Sequence, residues 1–473
     1  MTISRRTFLI TAQAAGMYYA AVSLPGLAHA HSSNARMPLL PDPEGILDLP
    51  EGFSYRIVST TGGTMADGFL RPGRPDGMAC FAYPGDAARC ILMRNHENWP
   101  DTEGGSPFGA DDALAVRLAD GTLYDDRRAD GRPFFGGVTK AVYNLEAGML
   151  EEDFLVLAGT AANCAGGATP WGSWLSCEES TVGPGDGAGR QHGFVFETPS
   201  SAIGVIAPVP LTAMGRFAHE AVAVDPATGI VYLTEDSRTG LFYRFLPTAP
   251  GELHRGGRLQ ALAIRGRESA DTSNWPRDWG GPGLGHIDQG QSFAIHWVDL
   301  DAVEAPDGDL AERGHAAGAA RFLRGEGMAF AIHPESRRGE IFFTCTQGGA
   351  QRTGQVWRYS PSTDEGQPGE ESEPGQLTLI YESPGADELD MCDNIAAAPW
   401  GDLILCEDGE NSSYLRGLTP GGEIYDLAEN VQARQSEFCG ACFSPDGQVL
   451  FVNIQEPGFT LAITGPWNRL RSA

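Results

Sequence analysis

Residues 399–408 read Pro399-Trp400-Gly401-Asp402-Leu403-Ile404-Leu405-Cys406-Glu407-Asp408. The first four are turn formers. The next four make an apolar run too short for a helix and long enough for a buried strand. The stretch then ends on two carboxylates. The same design recurs along the chain. Tyr83-Pro84-Gly85-Asp86 leads through Cys90-Ile91-Leu92-Met93 to Asn95-His96-Glu97, and Thr169-Pro170-Trp171-Gly172 through Trp174-Leu175 to Cys177-Glu178-Glu179. Val224-Asp225-Pro226 and Thr228-Gly229 lead through Ile230-Val231-Tyr232-Leu233 to Thr234-Glu235-Asp236. His333-Pro334-Glu335 leads to Cys345-Thr346-Gln347, and Ser444-Pro445-Asp446-Gly447 to Asn453-Ile454-Gln455. Six turn-plus-strand units predict an all-β chain folded as a β-propeller of about six blades. Their irregular spacing places inserted loops between blades. Residues 361–375, rich in Pro, Gly and Glu, read as an exposed loop, and residues 31–45 as an extended lead-in.

The functional content lies where the units end. Blades are arranged so that equivalent strand ends converge at one mouth of a central channel. If these strands are equivalent, Glu97, Glu178, Glu179, Glu235, Asp236, Glu407 and Asp408 meet there. Carboxylates gathered in one place repel each other unless cations sit among them, and an all-oxygen cluster suits calcium. The plainer reading is that each acid caps its own strand in solvent. The formal net charge of −29 excludes nucleic acid and anionic membrane as partners, because both repel a strongly acidic protein.

The first thirty residues read as a leader. Ser4-Arg5-Arg6-Thr7-Phe8-Leu9 precedes an apolar run, Ile10 to Leu27, that ends in Ala28-His29-Ala30. A charged start, an apolar middle and an Ala-x-Ala site make a cleavable export signal, and the arginine pair makes it a twin-arginine one. The expected partner is the twin-arginine export machinery and the expected location is the periplasm. No second long apolar segment follows, so no stable membrane anchor is expected. Residues 31–473 are read as a single propeller domain, and nothing in them demands more than a monomer. The nine cysteines are an odd number, so at least one thiol lies outside any disulfide framework. Cys439-Gly-Ala-Cys442 is a CxxC without partner motifs.

With these segments identified, the chain resembles the PhoX alkaline phosphatases. The matching stretches include Arg94-Asn95-His96-Glu97, Asn163-Cys164-Ala165-Gly166-Gly167 with Cys177-Glu178-Glu179, and Gly215-Arg216-Phe217-Ala218-His219-Glu220. Thr234-Glu235-Asp236-Ser237, Cys392-Asp393-Asn394 and Asn453-Ile454-Gln455-Glu456-Pro457-Gly458 continue the match to the C-terminus. The resemblance implies a six-bladed propeller with iron and calcium in its channel, acting on a small phosphorylated substrate. It implies Cys164 as an iron ligand, in keeping with the preference of thiolates for iron over calcium. It implies Glu179, Glu220, Glu326, Asp393 and Asn394 as further metal ligands. It places Arg324, two residues before Glu326, against substrate phosphate. The residue between them is Gly325, where the phosphatases are expected to carry proline. Two other readings of the scaffold stand beside this one: a calcium-dependent lactonase or esterase, which needs no thiolate, and a non-catalytic binding propeller with calcium as a staple.

Overall fold

Six short strands line a central channel: Pro75–Ala82, Asn163–Ala168, His219–Val224, Gly325–Ile332, Cys392–Ala397 and Phe438–Phe443. Each packs against the next, and the sixth packs back on the first, closing a ring. A computed structural model describes residues 37–275, 286–333, 336–409, 412–432 and 436–470. The leader segment, residues 1–30, lies outside the described residues. Among the described residues no helix is long and apolar enough to cross a membrane.

Each channel strand is the inner edge of an antiparallel blade. The first blade continues outward through Arg89–His96, Gly136–Asn144 and Met149–Thr160, and the second through Ser173–Glu178 and Val195–Pro199. The third and fourth blades are fused: Ser292–Asp299 pairs with Gly257–Ile264 of one and Gln376–Glu382 of the other, so the two make a single nine-stranded sheet. The described residues therefore form five hydrogen-bonded sheets around six inner strands. In the sixth blade Ser54–Thr60, from the start of the fold, pairs with Phe459–Thr464 from its end.

The apolar runs of the repeated units form the second strand of every blade, not the channel strand. Val231–Glu235, Gly339–Cys345, Leu403–Glu407 and Val449–Ile454 are covered on both faces by neighbouring blades, which is why they read as continuous apolar stretches without alternation. Phe242, Phe322, Phe343, Trp357 and Tyr359 fill the seam between the third and fourth blades, with the rings of Phe242 and Phe343 4.6 Å apart. Each such side chain contributes roughly 1.5–3 kcal/mol by burial.

Residues 361–375 are not wholly exposed. Glu365 is buried and accepts hydrogen bonds from Arg244 (2.6 Å) and Tyr359 (2.9 Å). All nine cysteines are free thiols.

Candidate metal and substrate site

The blades share one register at the channel mouth. The first residue of the inner strand pairs with the last residue of the second strand: Pro75 with His96, Asn163 with Glu178, His219 with Glu235, Gly325 with Cys345, Cys392 with Glu407 and Phe438 with Ile454. In the first five blades the register then slips before the fourth inner residue. Such a bulge re-aims the side chains within it. The residues it carries are Asp76, Cys164, Glu220, Glu326 and Asp393, all buried. The sixth blade has Cys439 at that position, and Glu437, two residues earlier, supplies its acid. After the bulged residue comes a small one in most blades. A Cβ on Gly77 would sit 2.5 Å from the Cα of Ala165, so the inner strands approach each other backbone to backbone.

One residue beyond each second strand the chain places Glu97, Glu179, Asp236, Thr346, Asp408 and Gln455. Among the described residues, Glu97, Glu179, Glu437 and the bulged residues form three groups whose ligand atoms lie within 4.8 Å of one another: Glu97, Cys164 and Glu179; Asp76, Glu97 and Glu437; Glu220, Glu326 and Asp393, with Asp236 and Asp408 outside them. Two carboxylates at that separation repel by roughly 3 kcal/mol at an effective dielectric of about 20. Burial and this repulsion hold Glu179, Glu220, Glu326, Asp393 and Glu437 well above the usual carboxylate range. Burial, then Glu97, raises Asp76 to about 7, and burial raises Asp408 to about 6. The Cys164 thiol is likewise pushed up by burial and by Asp76 and Glu220.

The pleat separates neighbours in sequence. Glu178, Glu235 and Glu407 end the second strands one residue early and are spent inside their own blades, outside the three groups. Glu178 accepts from the backbone N–H of Ala161, Gly193 and Phe194 and contacts His192. Glu235 accepts from Tyr243 (2.6 Å), and Glu407 from Arg416 (2.7 Å). Asn394 lies beside the cluster, with its side-chain oxygen accepting from the Gly440 N–H at 2.8 Å. His96 is fully engaged by Gly73 O and Thr139 Oγ1.

Arg324 reaches across from the fourth blade to Asp236 of the third, with Nε and Nη2 both at 2.8 Å, and its Nη2 lies 3.0 Å from Glu326 Oε1. Sequence reasoning missed Asp76, Glu437 and Arg74. Arg74 and Asp76 carried a signal, because Arg74-Pro75-Asp76-Gly77-Met78 echoes Arg324-Gly325-Glu326-Gly327-Met328; Glu437 carried none. Below the acids the channel continues as a cavity of about 220 Å³ lined by Met78, Ala165, Val222, Met328 and Ile395.

Comparison with known proteins agrees with this architecture. The family described as alkaline phosphatase PhoX matches residues 35–458. Among solved structures, Pseudomonas fluorescens PhoX in complex with vanadate, a transition state analogue, superposes with a TM-score of 0.63 at 16% identity, covering 91% of this chain and 97% of that one. A gluconolactonase from Xanthomonas campestris, XC5397, aligns with a TM-score of 0.38 at 10% identity, covering 92% of this chain and 99% of that one. No curated protein sequence matches the chain.

Proposed function

The chain belongs to the alkaline phosphatase PhoX family, a family of phosphoric ester hydrolases, and from that premise we propose that it hydrolyses small phosphate esters at the channel mouth with bound iron and calcium. The observation that carries this reading is Glu220 Oε2, buried with no hydrogen-bond partner, in a group with Glu326 and Asp393. An orphaned carboxylate oxygen among like charges is a coordination position in waiting.

The donor set fits two kinds of cation. Glu220, Glu326 and Asp393, and separately Asp76, Glu97 and Glu437, are all-oxygen groups suited to calcium. Cys164 with Glu97 and Glu179 adds a thiolate, which suits iron. Bound there, the cations would supply charge neutralisation for phosphate oxygens and a lowered pKa for an attacking oxygen. The chain's own part is positioning. Arg324 presents its guanidinium beside the acids, where a fork of N–H donors fits phosphate oxygens and fixes the ester in line for attack. Asp236 takes the Nε and Nη2 edge from the neighbouring blade, which leaves Nη1 for the phosphate.

In this reading the chain leaves the cytoplasm through the twin-arginine segment around Arg5 and Arg6 and works in the periplasm as a monomer, because one ring supplies every group of the site. The test is elemental analysis of the purified chain together with turnover of p-nitrophenyl phosphate on the same sample. Iron and calcium with turnover are expected. Calcium without iron, and no turnover when both metals are supplied, would overturn the proposal.

A further inference from the structure

Arg74-Pro75-Asp76-Gly77-Met78-Ala79 and Arg324-Gly325-Glu326-Gly327-Met328-Ala329 open the inner strands of the first and fourth blades. In a ring of six inner strands these two stand opposite each other. Both arginines take left-handed backbone conformations, φ 47° and 50°. Ala162 (φ 45°) and Met391 (φ 53°) do the same immediately before their own inner strands, so the conformation belongs to the way the chain enters the bulge. What the first and fourth blades add is a guanidinium.

Each guanidinium is held by a residue one past a second strand, but Arg324 by that of the preceding blade through Nε and Nη2, and Arg74 by that of its own blade, with Nε donating to the Glu97 backbone oxygen. Arg324 is paired with Asp236, and Arg74 Nη2 lies 3.0 Å from Glu97 Oε2. Asp236 and Glu97 hold the same position, the first past the second strand. Arg324 Nη2 lies 3.0 Å from Glu326, and Arg74 Nη1 lies 3.1 Å from Glu456. The side chains are 24% and 27% exposed, half-open to the mouth. Glu179 stands between the pairs and is repelled by both Glu97 and Asp236, while Asp408 is attracted by both arginines. The mouth is therefore a patch of acids with one fixed cation on each side.

We infer that Arg74 is a second anion-binding group of the site, opposite Arg324, and that the preferred substrates are phosphate esters bearing a second anionic group besides the phosphate that is cleaved. This rests on the phosphatase reading above. A substrate with one phosphate can engage only one of two opposed forks. One with two anionic ends gains a second charge-assisted contact, and because that contact is remote from the reacting bond it acts mainly on KM.

The experiment compares release of orthophosphate from fructose 1,6-bisphosphate and fructose 6-phosphate by the metal-loaded chain. The expected kcat/KM is at least about tenfold higher for the bisphosphate, with the difference in KM. Arg74→Met is expected to collapse that ratio to about 1–2, Arg74→Lys to restore part of it, and Glu456→Gln, which removes the charge competing for Nη1, to raise it. The inference is overturned if the wild-type chain shows no preference. It is also overturned if Arg74→Met lowers both substrates equally, as loss of support for Glu97 alone would do. No turnover of either ester, or of p-nitrophenyl phosphate, would instead sink the phosphatase reading and this inference with it.

Discussion

The sulfur of Cys164 lies 3.2 Å from Glu220 Oε1, across the seam between the second and third blades. A buried thiol among carboxylates has no reason to ionise, and burial with Asp76 and Glu220 indeed keeps its pKa high. Only a cation can reverse that preference, since metal binding replaces the proton. The expected outcome for Cys164→Ser is a chain that loses iron by elemental analysis while keeping calcium. Unchanged iron in the variant would remove the thiolate from the site.

Arg324 offers the cluster a fork already aimed by Asp236. Arg324→Ala should lower kcat/KM for p-nitrophenyl phosphate by roughly 10²-fold, the usual cost of a lost charge-stabilising donor. Arg324→Lys should fall between, keeping the charge and losing the paired geometry. Equal activity in all three proteins would show that the phosphate binds elsewhere.

The metal-free chain should be more stable in mild acid than above neutrality. Asp76 titrates at about 7 and Asp408 at about 6 in the fold, against about 4 for unfolded carboxylates. The folded state thus holds protons longer than the unfolded one, and stability falls as pH rises from about 4 through about 7. Melting curves of chelator-treated protein should drop between pH 5 and pH 8, and added calcium should restore the loss. A flat profile, or no response to calcium, would contradict this account.

His192 behaves with the opposite sign. Its ring lies between Glu178 Oε1 at 2.6 Å and Asp125 Oδ2 at 3.3 Å. Burial pulls it toward neutrality, yet the two carboxylates more than offset this and raise its pKa to about 9. Its contribution is complete below the unfolded value of about 6.5 and is lost as pH rises through about 9. Replacing it by Gln leaves Glu178 and Asp125 their backbone N–H donors but takes away the cation between them, at a cost on the order of 3 kcal/mol. The difference in denaturation free energy from wild type should be larger at pH 6 than at pH 9.5, and a pH-independent difference would mean the ring is neutral.

What the sequence made legible follows from how each element is buried. The second strands announce themselves because both faces are covered, so Leu403-Ile404-Leu405 and Val449-Leu450-Phe451-Val452 carry no polar interruptions. The inner strands hide, because Asn163-Cys164-Ala165-Gly166-Gly167 and Cys439-Gly440-Ala441-Cys442 must let backbones touch and so lack β-branched residues. The acids at the strand ends were visible, but the pleat parts Glu178 from Glu179, Glu235 from Asp236 and Glu407 from Asp408, and only the structure shows that Glu179 joins a ligand group while Asp236 pairs with Arg324. Glu437 was invisible, because its partners Asp76 and Glu97 come from the far end of the chain. Glu365 was read as exposed for the same reason: its partner Arg244 is 121 residues away.

The closing of the ring through Ser54–Thr60 and Phe459–Thr464 also ties one group of acids to the joining of distant stretches of chain. Asp76 and Glu97 belong to the first blade, but Glu437 and the Gln455 amide that donates to both of them come with the sixth. The Glu220, Glu326 and Asp393 group draws on the third, fourth and fifth blades alone, whereas the Asp76, Glu97 and Glu437 group spans the junction of the first and the sixth. The geometry of that second group is therefore a gauge of ring closure, right only where the two ends of the ring have met.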